Sequence, residues 1–407
     1  MASIENLIIK DLFIAAEGRP MLNLNASNNP LFKSINIYES VFSQYLTGNI
    51  IFIDAAAILE SYPIVGDEYL YISFKSSPLA KEYNKIFKII KLESVDEVPA
   101  KGIQLYTLHF VSTIADESLK RKLRVSFKNK KESEIIESIC KNTLGVNKIE
   151  VEETLNERTF VIPNWSPLKT IKYLANTSIR DSNSRSASFL FYEDRNGFKF
   201  KSLETMMGEE AVAELTLDKN NYKKQTISSI KEFEIDNCFD IVSNSNNGYY
   251  GSTITEIDLI DKKVNTYNYT NETFLEDQDK IDDTGGYAIH GQSKSDGGDR
   301  PIVRVRNHTH ANGNFNNAHN VMPRRMFMLQ QFKNYEIDVT LPGNSNWITG
   351  SKILFNNPSL RKTTLPEDNK YITGNFICTE TWHEITPSKH NMMITLRKPT
   401  FANEVEN

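Results

Sequence analysis

The sequence predicts a mainly β protein in which an α+β module separates two antiparallel β-barrels related by internal duplication. Three observations predict it: apolar residues alternate with a period of two at both ends of the chain, a helical period is confined to the middle, and a faint repeat sets one end against the other. At 407 residues the chain is too long for one compact domain and suits two to four.

Taken in order, the stretch Ile50 to Ile53 is continuously apolar, as expected of a strand covered on both faces. Leu70, Ile72 and Phe74 then alternate with Tyr71, Ser73 and Lys75, and Tyr106, Leu108 and Phe110 alternate with Thr107 and His109. One set should face a core and the other point outward. In the middle, Ile135, Ile136, Ile139, Cys140 and Leu144 form one helical face over residues 131–144, and Gly145 is placed to stop that helix. Trp165-Ser166-Pro167 reads as a helix start, with Ser166 available to cap and Pro167 tolerated in the first turn. The apolar runs on either side of Asp194-Arg195-Asn196-Gly197 read as a hairpin. Alternation returns at Tyr335, Ile337, Val339 and Leu341, and again at Met392, Ile394 and Leu396.

The repeat sets residues 65–75, 87–95 and 105–112 against residues 348–358, 375–386 and 391–398. Each series holds a Gly-led strand, a long strand and a final alternating strand in the same order. The expected division is a first barrel over 1–115, an α+β module over 116–207, a second barrel and C-terminal tail over 208–270 and 321–407, and an acidic, Gly- and Asn-rich excursion over 271–320.

Composition narrows the function classes. Hydrophobic residues make up 39% and charged residues 24%, an ordinary globular share that argues against wholesale disorder. A net charge of −5 argues against a protein whose main task is gripping nucleic acid, which needs a cationic surplus. Cys140, Cys238 and Cys378 are odd in number and far apart, so neither a disulfide framework nor a metal knuckle is expected. The first twenty residues lack the basic start of a signal peptide, and no apolar run reaches membrane-spanning length. A chain folded in a cytoplasm is expected.

Several segments, in order, resemble the baseplate central hub proteins of contractile-tailed bacteriophages. They are PLFKSINIYESVFSQYLTGNIIFIDAAAILESYPIVGDEYLYISFK; WSPLKTIKYLANTSI with SFLFYEDRNGFKFKSLETM; and, further on, FDIVSNSNNGYYGSTITEIDLIDKKVNTYNY, RRMFMLQQFKNYEIDVTLPGNSNWITGSKILF and ITGNFICTETWHEIT. The spike proteins of type VI secretion carry a similar module. The resemblance touches about three quarters of the chain in loose patterns whose specificity lies in their series; the 271–320 excursion matches nothing in it. It implies a structural virion protein of the tail baseplate, assembled in the host cytoplasm, with its two barrels serving as tube domains. A homotrimer would then present six similar barrels to a sixfold tail tube and a threefold face to a central spike. Tape measure and baseplate wedge proteins are further implied partners, and DNA would pass through the lumen without specific binding.

No residue pattern demands catalysis or a cofactor. His308, His310 and His319 have the spacing H-x-H-x8-H and could hold zinc or iron, but the segment has no acid inside it and Asp299 is the nearest. A surface loop is the blander reading. The pairs Glu209 with Glu210 and Asp282 with Asp283 invite a glycosidase, yet neighbours in sequence on polar segments are usually solvated charge. No serine elbow or phosphate loop is present. Arg304, Arg306, Arg324 and Arg325 form the one basic concentration, read as an exposed face before a DNA contact. Trp165, Trp347 and Trp382 read as core residues before sugar platforms. The alternatives to a hub are therefore a tail-associated carbohydrate-binding protein and a metal-dependent envelope hydrolase built on the three histidines.

Overall fold

The computed structural model of the chain describes residues 7–26, 29–55, 57–98, 103–217, 230–270, 274, 281–282, 287–288, 300–306, 318–359 and 368–401. Among the described residues six long strands form the first barrel, with the short strand Leu22–Asn23 paired beside the first of them: β1 (Ile8–Ala15), β2 (Phe32–Ser40), β3 (Thr47–Asp54), β4 (Tyr69–Lys75), β5 (Tyr83–Val98) and β6 (Ile103–Ser112). Their spatial order is β2-β3-β6-β5-β4-β1. The sheet curls until its ends meet, because Leu24 donates to Leu12 of β1 and Leu31 donates to Leu24 just before β2 begins, both at 2.9 Å. Leu12, Ile35, Ile50, Leu70, Phe87 and Leu108 fill the inside. The alternation read from sequence thus has its apolar phase inward. The run Ile50 to Ile53 is covered on one face only: Ile50 and Phe52 are buried, Ile51 and Ile53 half-buried.

The middle module follows. Helix α1 (Thr113–Lys120) leads to strands β7 (Ser126–Lys131), β8 (Ile149–Val151), β9 (Glu157–Val161), β10 (Phe189–Asp194) and β11 (Gly197–Ser202). Helices α2 (Glu132–Ser138), α3 (Pro167–Ala175) and α4 (Leu203–Gly208) pack with them. The predicted helix over 131–144 is realised as α2 followed by one wide turn over Ile139–Thr143, and Gly145 ends it at φ 67°. Helix α3 starts at Pro167 as read, but the Ser166 side chain does not cap it; the Ser118 hydroxyl accepts from the Leu168 amide at 3.0 Å. The Asn196-Gly197 hairpin joins β10 to β11, with Asp194 Oδ1 accepting from both amides.

The second barrel is built by β12 (Ala213–Thr216), β13 (Glu232–Asn237), β17 (Glu336–Pro342), β18 (Lys352–Asn356), β19 (Gly374–Ile385) and β20 (His390–Arg397). Between β13 and β17, strands β14 (Gly251–Asp258), β15 (Lys263–Thr270) and β16 (Arg300–Val305) form a separate sheet in the order β15-β14-β16. Helices α5 (Ile241–Asn246) and α6 (Ala318–Gln331) flank it. This corrects the expectation that 208–270 lies wholly in the second barrel. Alternation of the kind seen in β14 marks a strand but does not say which sheet it joins.

The second barrel has the spatial order β13-β17-β20-β19-β18-β12. Replacing each strand by its counterpart in chain order turns the first barrel's order into the second's. The four pairings that join five of the strands are antiparallel in both. The sixth position differs in sense: β1 runs antiparallel to β4, whereas β12 runs parallel to β18. The long strands carry a register shift at the same place, between Ile89 and Lys91 in β5 and between Cys378 and Glu380 in β19. Aligning those shifts sets buried Leu70 on Ile353, Phe87 on Phe376 and Leu108 on Ile394. These are the offsets of the sequence repeat.

One inward pair shows how volume is conserved without identity. Gly48 faces Phe110 across β3 and β6, and the equivalent pair is Ile337 and Leu396. A Cβ on Gly48 would overlap the Phe110 ring and the Asn36 carbonyl. Gly48→Ala is expected to lose about 1–3 kcal/mol by overpacking. Adding Phe110→Leu should restore part of it, as urea denaturation of the three variants would show.

Candidate assembly interface

The two barrels are joined edge to edge, so that their strands form one continuous sheet. The first residues of β19 pair with β18, from Gly374 to Ile377. Past the bulge at Thr379 the strand leaves β18, and its outer half pairs antiparallel with β2. The register runs from Glu380 opposite Ser40 to Ile385 opposite Ile35, with His383 opposite Ile37. On the outer side of this seam, Trp382 lies over Tyr38 with ring centroids 6.2 Å apart and donates to Asn36 Oδ1 at 3.1 Å.

Inside the seam lies a buried polar cluster fed by both barrels. Glu39 of β2 accepts from Tyr83 of β5 at 3.2 Å and from Thr349 of the second barrel at 3.1 Å. Burial, reinforced by the charge of Asp194, pushes its carboxyl up to about 7. His383 Nε2 stands 3.9 Å from Glu39, but burial and the nearby Arg195 hold that imidazole down to about 3, so the two do not form an ion pair near neutral pH. His383 Nδ1 is 3.1 Å from His390 Nε2, and His390 Nδ1 is 3.1 Å from the Ser76 hydroxyl. Burial also holds His390 well below its usual range. Next to it, Ser345 donates to the Lys81 carbonyl at 2.8 Å and the Lys81 amide donates to Asn346 at 2.7 Å. These contacts fasten the loop after β17 to the β4–β5 hairpin.

The middle module braces the same corner. Lys85 of β5 reaches Glu193 at 2.7 Å and the Asp194 carbonyl at 2.9 Å, and Glu193 also accepts from Ser112. On its other side, Arg325 of α6 donates to the Phe189 carbonyl at 2.6 Å. Desolvation at that contact lowers Arg325 to about 10. The arrangement can hold three units in a fixed mutual position. It consists of hydrogen bonds and packing, the contact of the Ser76 hydroxyl with His390 among them.

The residues singled out from sequence are scattered. His308, His310, Asp299 and Asp283 lie outside the described residues. His319 stacks on Tyr267 with centroids 4.1 Å apart. Glu209 is paired with Lys201, and Asp282 accepts from the Asn375 amide at 2.9 Å. Among the described residues no group of three His, Cys, Asp or Glu is placed to hold a metal ion. The four arginines do not form one exposed face. Arg304 reaches buried Glu256 and Arg306 reaches buried Asp258, while Arg324 lies over Phe274. Trp347 is buried and donates to Cys378, Trp165 is half-buried, and Trp382 belongs to the seam. The thiols of Cys140 and Cys378 are buried and pushed up to about 12 and about 11. Glu39, Tyr83, His383 and His390 were not singled out from sequence. Their signal was a polar residue in an apolar phase: Glu39 continues Ile35 and Ile37 inward, and His383 lies between Thr381 and Ile385.

No family model matches the chain. Its fold is that of phage-type tail proteins. It is similar to the tail protein from Neisseria meningitidis MC58, with a TM-score of 0.59, 8% identity and coverage of 95% of this chain and 96% of that one. It is also similar to the 43 kDa tail protein of prophage MuSo2 from Shewanella oneidensis, with a TM-score of 0.56, 12% identity and coverage of 96% and 98%. At such identities the likeness is one of fold. The sequence match is more specific. Over 212 residues the chain is 27% identical to the probable baseplate hub protein gp334 of Vibrio phage KVP40. That alignment covers 51% of this chain and 48% of the relative, so it spans about half the length of the curated protein it matches. Match and fold together support the resemblance to phage baseplate hub proteins.

Proposed function

We propose that the chain is the central hub of a phage tail baseplate, a trimeric symmetry adaptor whose work is geometric. The observation that carries this reading is the pair of barrels with one strand order, coupled edge to edge in a single sheet. Two equivalent units per chain let three chains offer six near-equivalent seats, enough to meet a sixfold tail tube. The threefold axis of the same assembly meets a central spike, and the lumen serves for DNA passage. In this reading the middle module and the β14–β16 sheet are accessory units that brace the barrels from outside, and wedge and tape measure proteins contact the hub. Its energy resides in large buried interfaces, and no catalytic step is assigned to it.

The experiment is a mass measurement in solution on the full chain, alone and co-expressed with the spike protein of its tail. The expected species holds three chains of 46.6 kDa each, about 140 kDa before any spike is added. A single-chain mass under both conditions would overturn the adaptor.

A further inference from the structure

The densest run of positive charge in the chain is not the arginine group at 304–325 but Lys120 to Lys131, where seven of twelve residues are Lys or Arg and none is acidic. Its two ends are neutralised within the chain. Lys120 and Arg121 meet Asp116 and Glu117 of α1 at 2.5 and 2.7 Å, Lys130 meets Glu134 at 2.9 Å, and Lys131 meets Glu153 at 2.6 Å. The middle is not. On the way into β7, Leu123 is buried and Phe127 half-buried, whereas Lys122, Arg124 and Ser126 are exposed on the alternate side. Lys128 is exposed at the bulge that follows, and Val161 of β9, opposite Ser126, is 66% exposed. Helix α3 adds exposed Lys169 and Lys172 beside them. The two elements are tied together there: the Leu123 amide donates to the Trp165 carbonyl at 2.8 Å, and Arg124 donates to Asn164 Oδ1 at 3.1 Å. Among the described residues none of these five cations meets an acid. Lysine commonly blunts a bare strand edge, but Lys169 and Lys172 stand on a helix, which has no such edge. Like charges gathered without counter-charge repel one another, and an anionic partner relieves that repulsion.

We infer that this face of the middle module, with Lys122, Arg124, Lys128, Lys169 and Lys172 set around Val161, docks an acidic segment of another baseplate protein. The inference rests on the baseplate reading and deepens it by giving the accessory module a partner. Two features favour a polypeptide over nucleic acid. A phosphate backbone needs an unbroken cationic path, whereas exposed Glu134 and Glu153 border this one. Trp165, the aromatic that could stack on a base, is already engaged: Lys169 lies over its ring at 5.2 Å and Tyr173 packs edge-on against it at 5.1 Å. A segment with a few carboxylates around one apolar residue matches both the charges and Val161. The chain's own acidic stretch is anchored elsewhere, since Ile281 is buried with Leu190, Met206 and Met328, and Asp282 accepts from the Asn375 amide.

The test compares lysine acetylation in assembled tails with that in the free chain, each site read by mass spectrometry. Lys122, Lys128 and Lys172 should react about tenfold more slowly in the tail, as for a face covered about nine-tenths of the time. Carbodiimide, which joins a lysine directly to a touching carboxylate, should link at least one of them to an Asp or Glu of a different polypeptide. The variant with Lys122→Glu, Lys128→Glu and Lys172→Glu changes exposed side chains only. It should keep the melting temperature and solution mass of the free chain and lose that link. Equal acetylation in tail and free chain would overturn the docking surface, and so would links that run only to this chain's own acids. Protection that disappears on nuclease treatment would reassign the face to nucleic acid and overturn the inference too. Tails that lack the chain altogether would instead overturn the baseplate reading.

Discussion

Arg158→Met is expected to destabilise the middle module by about 3–5 kcal/mol, the largest single-site effect in the chain. Arg158 and Glu132 are each 1% exposed and paired with one another inside the module. Arg158 also donates to Thr177 at 2.8 Å and lies over the Phe160 ring. Burial alone pushes the Glu132 carboxyl up and the Arg158 guanidinium down, so each ion is tolerated because the other is present. Removing the cation leaves a carboxylate in apolar surroundings next to Ile135 and Ile136. The double variant with Glu132→Leu should recover most of the loss, since a well-packed apolar pair does nearly as well as a buried ion pair. Urea denaturation of both single variants and the double variant measures this.

The second large effect is a pH dependence centred on Glu39. The folded chain holds this proton up to about pH 7, whereas the ordinary value is 4.5. Between those values the folded state binds more protons than the unfolded one, so the Glu39 contribution to stability falls as pH rises through the window. His383 acts in the opposite sense. Its folded value of about 3 lies below the ordinary 6.5, so its contribution rises with pH across that range. Between 4.5 and 6.5 the histidine slopes, of His383 and likewise of His390, oppose that of Glu39, and near pH 7 the Glu39 slope is joined by that of Glu204, whose buried carboxyl is also pushed up to about 7. Glu39→Gln keeps groups that can bond to Tyr83 and Thr349 and removes the titration. Relative to the unmodified chain it should gain roughly 2–3 kcal/mol between pH 4.5 and 8, read by denaturation at each pH. A constant difference across that range would mean that Glu39 is ionised throughout.

Much of the barrel architecture was legible because alternation and burial are the same physical fact. Leu70, Ile72 and Phe74 point into one core, and Ile337, Val339 and Leu341 into the other. The repeat was legible for a related reason: inward positions tolerate exchange of apolar volume but not loss of it, as Gly48 with Phe110 and Ile337 with Leu396 illustrate. The seam was not legible. Strand β2 meets a partner more than three hundred residues away, and no local pattern in Ile35 to Ser40 names that partner. The polar cluster was hidden likewise, since Glu39, Thr349, His383 and His390 converge only once both barrels are closed. The separate sheet of β14, β15 and β16 was not legible either, because β16, the parallel partner of β14, comes only after the Gly-rich stretch.

The most direct measurement is electron cryo-microscopy of the assembled particle viewed down its axis. Averages should show six barrel-sized lobes in a closed ring, alternating in two kinds. A closed ring with any other number of lobes, or an open filament, would contradict the claim that two repeated barrels in one polypeptide convert threefold into sixfold symmetry.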